Sequence, residues 1–166
     1  NTSFGVTGNS TICLSGGGSL TYNVDISSSS GIQNNFPGLI YTIKWGDGSS
    51  SSLTLCNIIA SGGKISHAYT KPSCGNSPNG QNNSFEVDLQ PSSLYCGKVG
   101  TQVTSYAQVV TAPVNAFNAP LAACVNTPAT FVNTSDPGQN PNSTSQNCEA
   151  LNTVYTWIVD GVTQAS

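Results

Sequence analysis

Tyr41-Thr42-Ile43-Lys44-Trp45-Gly46-Asp47-Gly48 alternates apolar and polar side chains and then breaks into a Gly-Asp-Gly turn. A period of two puts Tyr41, Ile43 and Trp45 on one face of a strand, with Thr42 and Lys44 on the other. Asp-Gly supplies the positive φ of a tight turn, so the stretch predicts a core strand ending in a hairpin-type reversal. Further out, Leu20, Tyr22, Val24 and Ile26 share a face, and Leu53 and Leu55 predict a short strand. Phe85, Val87 and Leu89 alternate against Glu86, Asp88 and Gln90, and the stretch from Val99 to Val110 is β-prone throughout. No segment shows helical periodicity, and roughly seven short strands bounded by Gly, Ser, Asn and Pro predict an all-β sandwich.

Composition narrows the function classes. Of 166 residues 37% are hydrophobic, too few for one extensive core, so two small sandwiches fit better than one large domain. Only 7% of residues are charged, the net charge is -3, and Lys44, Lys64, Lys71 and Lys98 are scattered with no Arg beside them. Without a basic stripe to neutralise phosphates, neither nucleic acid nor an anionic membrane is an expected partner. No apolar run approaches the roughly 20 residues that cross a bilayer, so membrane insertion is not expected, and the chain reads as an internal or processed fragment. Six Cys against a single His, with no CxxC knuckle, favour disulfides over zinc and hence an extracellular or cell-surface location.

Thr111-Ala112-Pro113-Val114 closes the last long strand with a residue that cannot donate to a ladder, which sets a boundary between residues 1–112 and 113–166. The two parts share an order of features. Cys13 precedes the Leu20 strand as Cys124 precedes Ala129 to Val132, and Tyr155-Thr156-Trp157-Ile158-Val159-Asp160-Gly161 can be laid on the Tyr41 stretch with one residue missing. Between them the loop from Asn133 to Asn147, rich in Asn, Ser and Pro, is expected to be mobile unless tied down. About 54 residues cannot bury both faces of a sandwich. The second part is therefore expected to be the N-terminal half of a domain, the rest lying beyond the fragment or supplied by another chain.

Taken with His67-Ala68-Tyr69 and the alternating Phe85-Glu86-Val87-Asp88-Leu89, the Tyr41 stretch resembles the polycystic kidney disease (PKD) domain family. The signature of that family is Tyr-x-Trp-x-Phe-Gly-Asp-Gly followed later by His-x-Tyr and a strand. Here Ile43 stands for the usual Trp, Trp45 stands for Phe, and the second copy lacks the Gly before Asp160. The resemblance implies immunoglobulin-like, antiparallel β-sandwiches in tandem, with Tyr22, Val24, Tyr41, Ile43, Trp45, Tyr69, Phe85, Val87 and Leu89 in the core. Cysteine-containing tandem copies of this type resemble those of Bacteroidota cell-surface and gliding adhesins.

Six Cys allow 15 pairings, and pairing neighbours gives Cys13 with Cys96, Cys56 with Cys74 and Cys124 with Cys148 as the expected set. Asp47 and Asp160, in Gly-flanked turns, are candidates for Ca²⁺ together with Asp25, Asp88 or Asp136. Asp-Gly makes turns without metal, however, and no DxDxDG run exists, so no cofactor is expected. His67 has no neighbouring nucleophile motif, and the only Glu residues, Glu86 and Glu149, lie in different parts, so no catalytic residues are assigned. Trp45 and Trp157 are the candidate sugar-stacking rings. Sequons at Asn1, Asn9, Asn82, Asn133 and Asn142 mark surface segments.

The expected function is a non-catalytic structural or adhesion module, a stalk or spacer of a large secreted cell-surface protein, presenting loops such as Ser73 to Asn83 and Asn133 to Asn147. Its expected partners are adjacent PKD-like domains, with surface glycans or other proteins as further ligands. The alternatives are a carbohydrate- or protein-binding accessory domain of a secreted enzyme, or a filament subunit completed by strand donation.

Overall fold

The computed structural model describes residues 3–14, 18–27, 32, 38–146 and 148–164. Asn1 and Asn147, named above as a sequon and a loop end, lie outside them. The strands of the first part are β1 (Phe4–Val6), β2 (Thr11–Cys13), β3 (Ser19–Val24), β4 (Ile40–Lys44), β5 (Ser50–Thr54), β6 (Lys64–Ala68), β7 (Phe85–Ser93), β8 (Gly97–Lys98) and β9 (Val103–Val110). They form two sheets, one in the order β1-β3-β6 and one in the order β2-β9-β7-β4-β5, with β8 on β7. The sheets pack against each other around one apolar core, so the fold is all-β, as the alternating patterns predict.

The reason is visible strand by strand. On β7, Phe85, Val87 and Leu89 are buried while Glu86, Asp88 and Gln90 stay partly exposed, the consequence of successive side chains pointing to opposite faces. Every residue expected in the core, from Tyr22 and Val24 to Val87 and Leu89, is buried. Not every pairing is antiparallel, however. Thr11 lies against Gln108 and Cys13 against Val110 in a parallel ladder, because the chain leaves the β1-β3-β6 sheet after Val6 and joins the edge of the other sheet beside β9, running the same way.

Leu55 does not continue a strand. It opens the short helix α1 (Leu55–Ala60), started by a capping box in which Thr54 Oγ1 accepts from the Asn57 amide at 3.2 Å and Asn57 Oδ1 accepts from the Thr54 amide at 3.0 Å. Ile58 is the anchor, fully buried in the core. A single turn and a half offers too few residues for a helical period to register, so only the cap could have signalled it.

After β4 the chain reverses through Gly46 at φ 81° and Gly48 at φ 95°, closed by a bond from the Trp45 amide to the Ser49 carbonyl at 3.1 Å. A Cβ on Gly46 would lie 2.6 Å from the Glu86 carbonyl oxygen and 2.8 Å from Phe85 Cβ. Gly46 is therefore required both by its left-handed backbone and by the closeness of β7. Gly46→Ala should destabilise the sandwich by at least about 2 kcal/mol, read as a lower urea midpoint. A midpoint unchanged from wild type would show that β7 is not so close.

Residues 113–164 carry two small two-stranded sheets. β10 (Phe117–Asn118) pairs antiparallel with β11 (Val132–Asn133), extended by a bridge from Val114 to Asp136. β12 (Ile158–Val159) and β13 (Val162–Thr163) form a hairpin around Asp160-Gly161. The strands expected over Ala129 to Val132 and Val154 to Val159 are thus shorter than their patterns suggested. The loop from Asn133 onward is not loose over its described residues: Asp136 is bridged to Val114, and Gln139 to Ala150.

Candidate functional site

Two constellations stand out, one inside the sandwich and one at its junction with residues 113–164. In the first, Asp47 in the turn and His67 on β6 meet at 2.8 Å through Oδ2 and Nε2. Asp47 Oδ1 accepts from the Ser49 amide at 2.8 Å and from the Ser49 hydroxyl at 2.5 Å. The His67 ring stacks on Trp45, centroids 4.4 Å apart, and abuts Tyr69 edge-on at 4.6 Å. Behind them the Tyr22 and Tyr69 hydroxyls share a bond of 2.7 Å. Ser49 lies 3.4 Å from the same Nε2 that meets Asp47. A nucleophile–base–acid relay needs the acid on one imidazole nitrogen and the nucleophile on the other; here both crowd one nitrogen, so the chemistry is that of a polar brace. Ser49 was invisible as a partner in the sequence, since it is the fold that brings β6 beside the turn.

Burial pushes the Asp47 carboxyl up, yet hydrogen bonds from the Ser49 hydroxyl, His67 and the Ser49 amide, with the His67 charge, outweigh it and hold it below the ordinary aspartate range. A depressed carboxyl stabilises the fold above its unfolded value, and that stability is lost as pH falls. Wild type should therefore weaken below about pH 3.9, and Asp47→Asn should flatten this acid limb in urea midpoints. A limb of unchanged slope would detach Asp47 from it.

Tyr22 is pushed up to about 12, chiefly by burial, which outweighs the lowering by its bond to Tyr69; the Asp47 charge adds a smaller rise. Tyr69 is raised as well, by burial, by its bond to Tyr22 and by the charges of Tyr22 and Asp47. A raised phenol keeps its full stabilisation below its unfolded value and loses it as pH rises. Stability should fall from about pH 10 through about 12, and Tyr22→Phe should make the decline shallower in pH-dependent melts. Equal slopes in the two proteins would contradict the raised phenols.

The candidate calcium ligands are not gathered. Asp25 accepts from the Ser27 amide, Asp88 from the Thr104 hydroxyl and Asp136 from the Gly138 amide. Asp160 sits in the exposed β12–β13 turn. Among the described residues no three His, Cys, Asp or Glu side chains form a metal-sized group.

The second constellation is the junction. The structure joins Cys74 to Cys148, with Cα atoms 5.6 Å apart, and leaves Cys13, Cys56, Cys96 and Cys124 unpaired and exposed. The expected pairs are corrected accordingly. Cys13 lies beside Val110 at one end of β9, while Cys96 follows β7 beyond the level of Val103 at the other end, so about 20 Å of strand separates them. Cys56 follows edge strand β5, while Cys74 adjoins Ser73, which is bonded to Val109 on β9. With β7 and β4 between, that is about 14 Å, beyond the roughly 7 Å a bridge tolerates. Cys148 is taken by Cys74, which leaves Cys124 without its expected partner.

Around this disulfide lie all four buried polar residues of the described chain, Ser73, Asn83, Ser84 and Ser143. Asn83, 1% exposed and in the left-handed region at φ 52°, donates through Nδ2 to the Ser143 and Ser145 carbonyls at 2.8 and 3.0 Å and accepts from the Gly75 amide at 3.2 Å. Ser73 Oγ accepts from the Val109 amide at 2.8 Å and donates to the Asn83 carbonyl at 2.5 Å. Gln108 Nε2 reaches the Pro141 carbonyl at 3.0 Å, and Gln139 exchanges two bonds with Thr111. No buried side-chain polar atom among the described residues is unsatisfied, the condition under which a buried polar network rigidifies. The ends of the Ser73 to Asn83 loop, expected to be exposed, are therefore buried.

Of the two tryptophans, Trp45 is 1% exposed and unavailable to a sugar. Trp157 lines an open groove of about 640 Å³ with Phe117, Phe131, Asn133, Ile158 and Asp160.

No family model matches the chain, and neither a curated protein nor a solved structure matches it. The fold and the junction together define an all-β, sandwich-built chain carrying a disulfide, which suits a non-reducing environment. No helix of the described residues is long and apolar enough to cross a membrane.

Proposed function

We propose that the chain is a non-catalytic structural and adhesion module of a large secreted cell-surface protein, made of tandem immunoglobulin-like sandwiches of PKD type. The observation that carries this reading is the junction. A disulfide and a buried network satisfied among the described residues hold Gln139, Pro141, Ser143, Ser145 and Cys148 against β9 and the Ser73–Asn83 loop, and a spacer needs such fixed angles between its units. Two further features support it. The separated parts of the PKD-like signature meet in space, Asp47 against His67, and the β10–β11 pairing repeats that of β1 with β3.

Small-angle scattering on the oxidised chain tests it. A spacer gives one fixed envelope, loosened by reduction or by Asn83→Ala. A broad distribution of shapes in the oxidised protein would overturn the reading. The groove around Trp157 favours a second one, an accessory domain that binds carbohydrate, and glycan binding abolished by Trp157→Ala would support it.

A further inference from the structure

We infer that the face made by Phe117, Phe131 and Trp157 is the uncovered core of a second sandwich, an acceptor for an extended polypeptide strand that pairs antiparallel with residues 155–159. The inference rests on the tandem reading above and names what that second unit binds. The first sandwich supplies the template. There, rings from β1, β3 and the end of β4 meet as Phe4, Tyr22 and Trp45, at 5.3 and 5.2 Å. They are closed over by Tyr69 and Phe85, themselves stacked at 5.4 Å, with Tyr69 bonded to Tyr22 and to the Trp45 carbonyl. All five rings are buried.

The C-terminal part repeats the first two members and sets Trp157, aligned with Ile43, beside them, with no counterpart of the last two among the described residues. Phe117 on β10, Phe131 before β11 and Trp157 before β12 meet at 6.2, 5.5 and 6.2 Å. Among the described residues no ring covers them: Phe117 is 58% exposed and Phe131 48%. Tyr155 and Trp157, which the alignment sets on the fully buried Tyr41 and Ile43, are only half-buried, and Val154 and Ile158 beside them are exposed.

The backbone is open in the corresponding place. In the first sandwich β4 has β5 on one edge and β7 on the other, with Ile43 opposite Leu89. Among the described residues β12 has only β13, in a sheet of two strands. A bare apolar face next to a free strand edge is the arrangement that strand addition completes.

The geometry also selects among occupants. The three rings are inclined to one another by 57°, 72° and 55°, two pairs tilted and one edge-to-face, so together they make no flat platform of the kind a sugar ring stacks on. A second copy of this chain is a poor donor, because its strands of the required pattern, β6 and β7, already sit in its own core. The occupant is therefore a polypeptide segment from outside these 166 residues, extended, with aromatic or aliphatic side chains at alternate positions in the manner of Phe85, Val87 and Leu89.

The test uses the oxidised 166-residue chain and a synthetic peptide of residues 84–93, which carries the β7 pattern. Its addition should give a saturable blue shift of Trp157 emission and slow amide exchange at residues 155–159. Trp45, already buried, should not respond. Phe131→Asp should weaken binding about tenfold or more, and a peptide with the same residues in scrambled order should not bind. Absence of a shift, a shift given equally by the scrambled peptide, or a shift given instead by oligosaccharides would overturn the inference. So would light scattering that shows a dimer of this chain together with Trp157 emission already blue-shifted before any peptide is added. Scattering of the same sample reads the junction independently, so failure of the acceptor leaves the spacer reading standing on its own test.

Discussion

Trp45→Ala should cost the sandwich about 3–5 kcal/mol and leave it at best marginally folded, since small domains hold only about 5–15 kcal/mol in all. The size follows from its position. Trp45 sits 1% exposed at the end of β4, tilted against Tyr22 at 5.2 Å and stacked under His67 at 4.4 Å. Truncation opens a cavity between the two sheets and removes the surface on which His67 lies while it holds Asp47. It also strands the Ser51 hydroxyl, which accepts from Trp45 Nε1 at 2.9 Å. Urea unfolding followed by circular dichroism gives the number. A loss below about 1 kcal/mol would mean that the ring cluster is not the centre of the core. Trp45→Phe keeps most of the apolar bulk and should recover a large part of the loss.

Replacing both Cys74 and Cys148 by Ser should cost about 4 kcal/mol, because the bridge closes a sequence separation of 74 residues and the entropy removed from the unfolded chain grows with the logarithm of that length. The loss should fall first on residues 113–164, whose exposed Val114, Phe117, Val154 and Ile158 show how little apolar burial holds them otherwise. Limited proteolysis should cut the double variant between 111 and 148 while β1 to β9 survive. Dithiothreitol should reproduce the effect in wild type and add nothing to the variant. Peptide mapping of the oxidised protein should recover a Cys74–Cys148 cross-link, and recovery of a Cys56–Cys74 peptide in its place would overturn the assignment.

The core was legible because alternation is a local property: Tyr41, Ile43 and Trp45, or Phe85, Val87 and Leu89, declare one buried face wherever their strand ends up. The turn was legible for the same reason, since Gly46-Asp47-Gly48 carries its conformation in its own residues. The junction was not. Asn83 reads in the sequence as the middle residue of the Asn82 sequon, and its role arises because β9 brings Val109 to Ser73 and the chain beyond Pro113 folds back to place the Ser143 carbonyl against it. Cysteine pairing failed similarly. Proximity along the chain favoured Cys56 with Cys74, whereas strand order set them on opposite sides of the larger sheet. Helix α1 was missed because its cap, Thr54 with Asn57, is a single side-chain exchange rather than a pattern.

The Cys74–Cys148 bridge also decides how a pull on the two ends would travel. Tension entering at the N-terminus and leaving at the C-terminus crosses directly from sulfur to sulfur, so β7 to β11 stay slack while β1 to β6 and the β12–β13 hairpin bear the strain. Cutting the bridge puts the intervening stretch of roughly 70 residues back in series, adding about 250 Å of contour length. The thiol balance of the surroundings thus sets the reach of the chain.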